Sequence, residues 1–165
     1  MPNRRIEAQR KARFLRPEEM DRSVALLLLA ARGFEATARA NLPDGLTLTH
    51  RLMLLLVKSG AARTGADLQT LMDLPKQTVS RHIRQLLDAG LVAQRHATDD
   101  RRRKLLVLTE TGRALSEHLD RAQQRRLGAV FRAHGPEIVA SFETVLRDLV
   151  DPRVRERFDD AEAIS

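Results

Sequence analysis

Thr64-Gly65-Ala66-Asp67-Leu68-Gln69-Thr70-Leu71-Met72, Asp73-Leu74-Pro75 and Lys76-Gln77-Thr78-Val79-Ser80-Arg81-His82-Ile83-Arg84-Gln85-Leu86-Leu87-Asp88-Ala89-Gly90 follow one another without interruption. Thr64 and, three residues on, Asp67 have the spacing of a capping box, in which a hydroxyl and a carboxylate each satisfy a backbone N–H left unpaired by the first helical turn. A helix is therefore predicted to open there, with Leu68, Leu71 and Met72 facing inward. Pro75 has the fixed φ that suits a first helical position, so a second helix begins after only the tight turn Asp73-Leu74-Pro75. In that helix Val79, Ile83, Leu86 and Leu87 recur at three- and four-residue spacing, forming one apolar face, and Gly90 ends it. Two helices joined this closely make a helix-turn-helix, a geometry shared by many helical proteins, so its meaning depends on the outward side.

With the apolar face turned to the core, Gln77, Arg81 and Arg84 lie opposite it, and Thr78, Ser80 and Gln85 lie on the flanks. Lys76, Arg81 and Arg84 meet no acid along the helix before Asp88. Cations neutralise phosphates, and guanidinium and amide groups read guanine and adenine edges in a major groove. By itself such a face is equally an ordinary solvated one. The segment beyond Gly90 tips the balance toward nucleic acid. Leu91 to His96 and Lys104 to Leu108 are short and apolar enough for two strands, and Thr98 to Arg103 between them is highly charged. This hairpin would set Arg101, Arg102, Arg103 and Lys104 beside the helix as a wing, against phosphate or in the minor groove. Asp99 and Asp100 cut the net attraction but can orient guanidinium groups by paired hydrogen bonds. The predicted fold is mostly α with a small β-hairpin wing: a winged helix-turn-helix carrying N- and C-terminal dimerisation helices.

Working outward, residues 45–108 form the winged module. Pro43 and Gly45 break the chain before it, and Thr49 is expected to cap a short helix with Leu52, Leu55 and Leu56 inward, ended by Gly60. Residues 17–44 are read as an N-terminal dimerisation helix running from Pro17 to about Asn41. Its Val24, Leu27 and Leu28, widened by Leu26 and Leu29, make more apolar surface than a lone helix on a small domain can bury, so a second subunit is the expected cover. Residues 109–150 hold the C-terminal dimerisation helices. The first is capped by Thr109 and has Leu115, Leu119, Leu127 and Val130 inward; the second follows Gly135-Pro136 and carries Phe142, Leu146 and Leu149 at helical spacing. Residues 1–16 are read as a basic flexible arm and residues 151–165 as a loose acidic tail.

Composition narrows the function classes. The 165 residues carry 29 Lys and Arg against 22 Asp and Glu, a formal net charge of +7 that favours a polyanionic partner. The absence of Cys excludes disulfides, thiolate nucleophiles, thiol redox switches and zinc-finger spacing. His50, His82, His96, His118 and His134 fall singly in the sequence, so no metal site is expected. The paired acids Glu18-Glu19, Asp99-Asp100 and Asp159-Asp160 have neither a partner nucleophile nor a glycine-rich phosphate loop. The expectation is a non-enzyme without cofactor. The longest apolar run, Val24 to Ala31, is far below the roughly 18 residues of a membrane span, and a cytoplasmic location is expected.

At Gly45-Leu46-Thr47-Leu48-Thr49, Leu74 to Arg81, Gly90-Leu91-Val92, and Asp100-Arg101-Arg102 through to Leu108-Thr109-Glu110-Thr111-Gly112, the chain resembles the MarR-type (multiple antibiotic resistance) regulators, over roughly residues 20–150. The resemblance implies a dimer with interlocked terminal helices and two winged modules straddling a pseudo-palindromic operator on double-stranded DNA, with repression the expected sign. It places Thr78, Ser80 and Arg81 on the recognition helix, and Asp100 and Arg102 in the wing. Many members open the wing with Pro, where this chain has Ala97-Thr98. Many also release DNA when a small molecule binds between the dimer helices and the winged module. This chain is open to such an effector, but Phe34 and Met53 are read as core, and no effector-binding residues are named. The alternative is a winged-helix scaffold that binds protein without specific DNA readout.

Overall fold

The computed structural model describes residues 16–96 and 104–164, with side chains in the last helix as far as Ala161. The basic arm expected over residues 1–16 lies, apart from Arg16, outside the described residues. The elements are α1 (Pro17–Arg39), α2 (Leu48–Lys58), α3 (Gly65–Met72), α4 (Lys76–Asp88), β1 (Val92–His96), β2 (Lys104–Leu108), α5 (Glu110–His134), α6 (Pro136–Leu149) and α7 (Pro152–Ile164). They divide into two units, meeting between Thr37 and Ala38.

The first unit holds most of α1, with Glu18 and Glu19 in the first turn at the positive end of the helix dipole. Met20, Val24 and Leu26 to Leu29 are all exposed in the single chain.

In the second unit the capping box predicted at Thr64 is present. The Asp67 N–H donates to Thr64 Oγ1 (3.1 Å), while the N–H groups of Arg63 and Thr64 both donate to Asp67 Oδ2 (2.9 Å each). Asp73 ends α3 in the left-handed region (φ 48°), turning the chain within two residues, and Pro75 caps α4. Val79, Ile83 and Leu86 enter a core with Met53, Leu54, Leu56, Leu68, Leu91, Val92 and Leu106, each large side chain contributing about 1.5–3 kcal/mol by burial. β1 and β2 pair antiparallel, Val92 opposite Leu108 and His96 opposite Lys104. The Leu106 N–H also donates to the Arg63 carbonyl (2.7 Å), fastening the outer side of the hairpin to the loop before α3.

Two local expectations are corrected. α2 is capped by Thr47 rather than Thr49, so Leu52 and Leu55 point outward while His50, Arg51, Met53, Leu54 and Leu56 are buried. The shift rests on His50, whose Nδ1 accepts the Thr47 N–H (3.0 Å) in the place usually taken by Glu or Gln. Residues 151–165, expected as a loose acidic tail, hold α7. Asp151 Oδ1 accepts the Arg153 N–H (2.9 Å) at its start, and Val154, Phe158 and Ala161 share one face. Phe158 packs on the core, Ala161 is buried, and Arg157 pairs with Asp67 at 3.1 Å. The sparse i, i+4, i+7 stripe is diluted by acids, which is why composition alone suggests a tail.

α5 is long and capped by Thr109, whose Oγ1 accepts the Gly112 N–H (3.0 Å). Leu119 is buried, Leu115 and Leu127 half-buried, and Val130 is exposed. α6 buries none of its residues.

Candidate nucleic-acid interface

α4 owes its position to its own sequence. Its apolar stripe is held in the core, which turns the opposite side to solvent. Lys76, Gln77, Ser80, Arg81 and Arg84 are exposed and Thr78 is half-buried. Among the described residues no ion pair involves Lys76, Arg81 or Arg84, so the cations stand free along one side of the helix. Gln85 is exposed as well, but its Oε1 lies 3.1 Å from His50 Nε2, which ties it to α2. The face therefore presents three cations with amide and hydroxyl groups between them, the combination suited to phosphates and base edges.

The hairpin comes after Gly90, which takes a φ of +65° that a β-carbon disfavours. Arg95 and His96 of β1 and Lys104 of β2 are exposed where the strands approach the wing tip. Asp100, Arg101, Arg102 and Arg103 lie outside the described residues. Sequence reasoning misses Arg95 because it falls inside a strand; the polar run Gln94-Arg95-His96, exposed at all three positions, is the signal that could have found it.

Of the residues expected at a subunit interface, Val24, Leu27, Leu28, Phe142 and Leu149 are exposed and Leu146 is half-buried. Phe142 meets Phe131 of α5 edge-on, with ring centroids 6.0 Å apart. Met53 is fully buried in the core and Phe34 half-buried.

Behind α4 are two polar groups that sequence reasoning did not reach. His50, fully buried, contacts Gln85 and also His82 Nδ1 (3.1 Å), the two imidazoles meeting edge to face. Burial first, and then the nearness of His82 and Arg81, hold the His50 pKa below the ordinary 6.5, against a hydrogen bond to Gln85 Oε1 that raises it. At the next residue Arg51 pairs with Asp120 of α5 at 2.5 Å and with Gln123 at 2.9 Å, and Lys58 reaches the other Asp120 oxygen at 2.6 Å. A lone buried His or Arg carries no sequence signature, because its partners are 32 to 72 residues away along the chain.

No cluster of three His, Cys, Asp or Glu side chains suited to a metal occurs among the described residues, and no helix among them is long and apolar enough to cross a membrane.

A helix-turn-helix followed by a two-stranded hairpin, with the second helix offering an outward cationic face, defines a winged-helix DNA-binding protein. The MarR family model matches residues 44–103, most of the winged module. The HTH-type transcriptional regulator PetP of Rhodobacter capsulatus is 33% identical over 151 residues, covering 88% of each chain, and this chain belongs to the MarR family of transcriptional regulators. Bordetella bronchiseptica BpsR, whose DNA binding is regulated by 6-hydroxynicotinic acid, is similar in structure with a TM-score of 0.57 at 26% identity, over 77% of this chain and 91% of that one. A mutant E. coli MarR solved with operator DNA shares the fold with a TM-score of 0.59 at 19% identity, over 81% and 96% of the two chains.

Proposed function

We propose that this regulator binds a pseudo-palindromic operator in double-stranded DNA as a homodimer and represses transcription from it in the cytoplasm, without catalysing a reaction. In this reading Lys76, Gln77, Thr78, Ser80, Arg81 and Arg84 lie in the major groove. Asp100, Arg101, Arg102 and Arg103 grip the flanking backbone or minor groove from the wing. Val24, Leu27 and Leu28 of residues 17–44 and Phe142, Leu146 and Leu149 of residues 109–150 meet a second subunit. The observation that carries the reading is the outward side of α4, where three cations without ion-pair partners among the described residues stand beside a hairpin. Release by a small molecule is part of the proposal, by likeness to BpsR.

Selection from a random duplex pool tests it. A two-fold symmetric site should emerge, with half-sites roughly 34–36 Å apart. Arg81→Ala should relax the preference at one base position by roughly 1–3 kcal/mol. Arg102→Ala should instead weaken all duplexes together and reduce the salt slope by about 0.9. If both variants match the parent at every salt concentration, the assignment of roles is wrong. If no sequence is enriched, the winged helix is a protein-interaction module instead. The dimer is tested separately: light scattering at micromolar concentration should give twice the chain mass, and a monomer there would exclude it.

A further inference from the structure

We propose that His50 is a positioning residue for α4: in its neutral form it ties the capped first turn of α2 to His82 and Gln85, and its protonation opens that turn, sets a positive charge against Arg81 and weakens DNA binding. The inference rests on the DNA-reading role of α4 proposed above.

The hydrogen bonds themselves specify the protonation state. The Thr47 N–H is an obligatory donor, so His50 Nδ1, 3.0 Å away, must carry a lone pair, and Thr47 Oγ1 at 2.9 Å fits the same arrangement as a donor. The ring proton is then on Nε2, which faces Gln85 Oε1 and His82 Nδ1, both at 3.1 Å and both able to accept it. One neutral imidazole thus closes the first turn of α2 and holds two side chains of α4. A second proton would go to Nδ1, setting an N–H against the Thr47 N–H and opening the cap. It would also place a buried positive charge beside Arg81 and His82.

The charged and titratable groups acting on His50 are His82 and Arg81, both from α4. On α2 itself Arg51 and Lys58 are taken up by Asp120 of α5. Because the native pKa is lowered, the neutral tie is complete above about 6.5 and is lost as pH falls from there through the native value.

Ordinary electrostatics have the opposite sign. Acidification makes a protein's net charge more positive, and added positive charge strengthens attraction to phosphate. A fall in affinity on acidification therefore separates the device from the background.

The experiment measures affinity by fluorescence anisotropy at fixed ionic strength, lowering the pH from about 7.5 to the point where circular dichroism first shows unfolding, for a duplex enriched from a random pool by the parent protein at pH 7.5. Parent affinity should fall about threefold to tenfold as the pH passes below the lowered native value, the equivalent of one net hydrogen bond. His50→Ala should lose a similar factor already at pH 7.5. His50→Gln, which restores an acceptor for the Thr47 N–H without titrating, should recover affinity and remove the fall. His82→Gln takes away one of the groups that depress the His50 pKa, so the fall should begin at higher pH. Should circular dichroism show that the His50 variants do not fold, the parent and His82→Gln profiles still decide. Parent affinity that holds or rises on acidification overturns the inference, as does a fall that persists in His50→Gln, or one that His82→Gln leaves in place or abolishes. If the parent enriches no duplex at pH 7.5, the DNA-reading role itself fails and takes the inference with it, an outcome visible before any variant is compared.

Discussion

Gly112→Ala is expected to destabilise the protein by about 3 kcal/mol or more, a large fraction of the stability of an ordinary domain. Helix propensity alone predicts the reverse, since alanine is better than glycine inside a helix by about 1 kcal/mol. Tertiary structure decides the sign. Gly112 is buried in the first turn of α5, and a β-carbon built there would lie 1.8 Å from the Leu91 carbonyl oxygen and 2.8 Å from its carbon. The contact involves main chain on both sides, so no rotamer change relieves it. The same carbonyl accepts the Thr109 N–H (3.1 Å), and the Thr109 hydroxyl donates to the Gly90 carbonyl (2.7 Å). Moving α5 away from Leu91 would break these hydrogen bonds and shift the end of α4 together. Chemical denaturation followed by circular dichroism measures the loss. A midpoint equal to or above the parent's would show that the α5 start has room for a side chain.

Asp120→Ala is expected to cost about 3–5 kcal/mol, because it leaves the Arg51 guanidinium buried without a counter-charge. The side chains of Arg51 and Asp120 are only 6% and 11% exposed, so water screens them little. Arg51 Nε and Nη1 already have no hydrogen-bond partner among the described residues, so little remains to take over the charge. Lys58, with its side chain 31% exposed, can turn to solvent, and Lys58→Ala should cost no more than about 1 kcal/mol. The double variant Arg51→Met with Asp120→Leu should recover most of the loss, since two apolar groups of similar volume need no pairing. A double-mutant cycle by denaturation checks all of this. If the single and double variants are equally unstable, the loss comes from packing rather than from the stranded charge. The pair joins α2 of the winged module to α5.

α4 was legible because its two signals are local. Val79, Ile83 and Leu86 repeat within one helix, and the cations opposite them follow from the same periodicity. The capping box at Thr64 and the hairpin strands were legible for the same reason. Misreadings arose where a local rule met a distant partner. Thr49 looks like a cap until the buried imidazole of His50 turns back to Thr47. Residues 151–165 look too acidic to fold until Phe158 finds the core and Arg157 finds Asp67.

By itself, then, the sequence determined the order of elements from α1 to α6, the inward stripe of α4 and the basic character of its other side, all properties of neighbours within a few turns of one helix. Only the tertiary structure decided that Gly112 has no room for a methyl group, that Arg51 must have Asp120, and that His50 serves two helices at once. Each of these depends on a contact closed across 18 or more residues, and an apolar period specifies which side faces inward without specifying which atoms it will meet there.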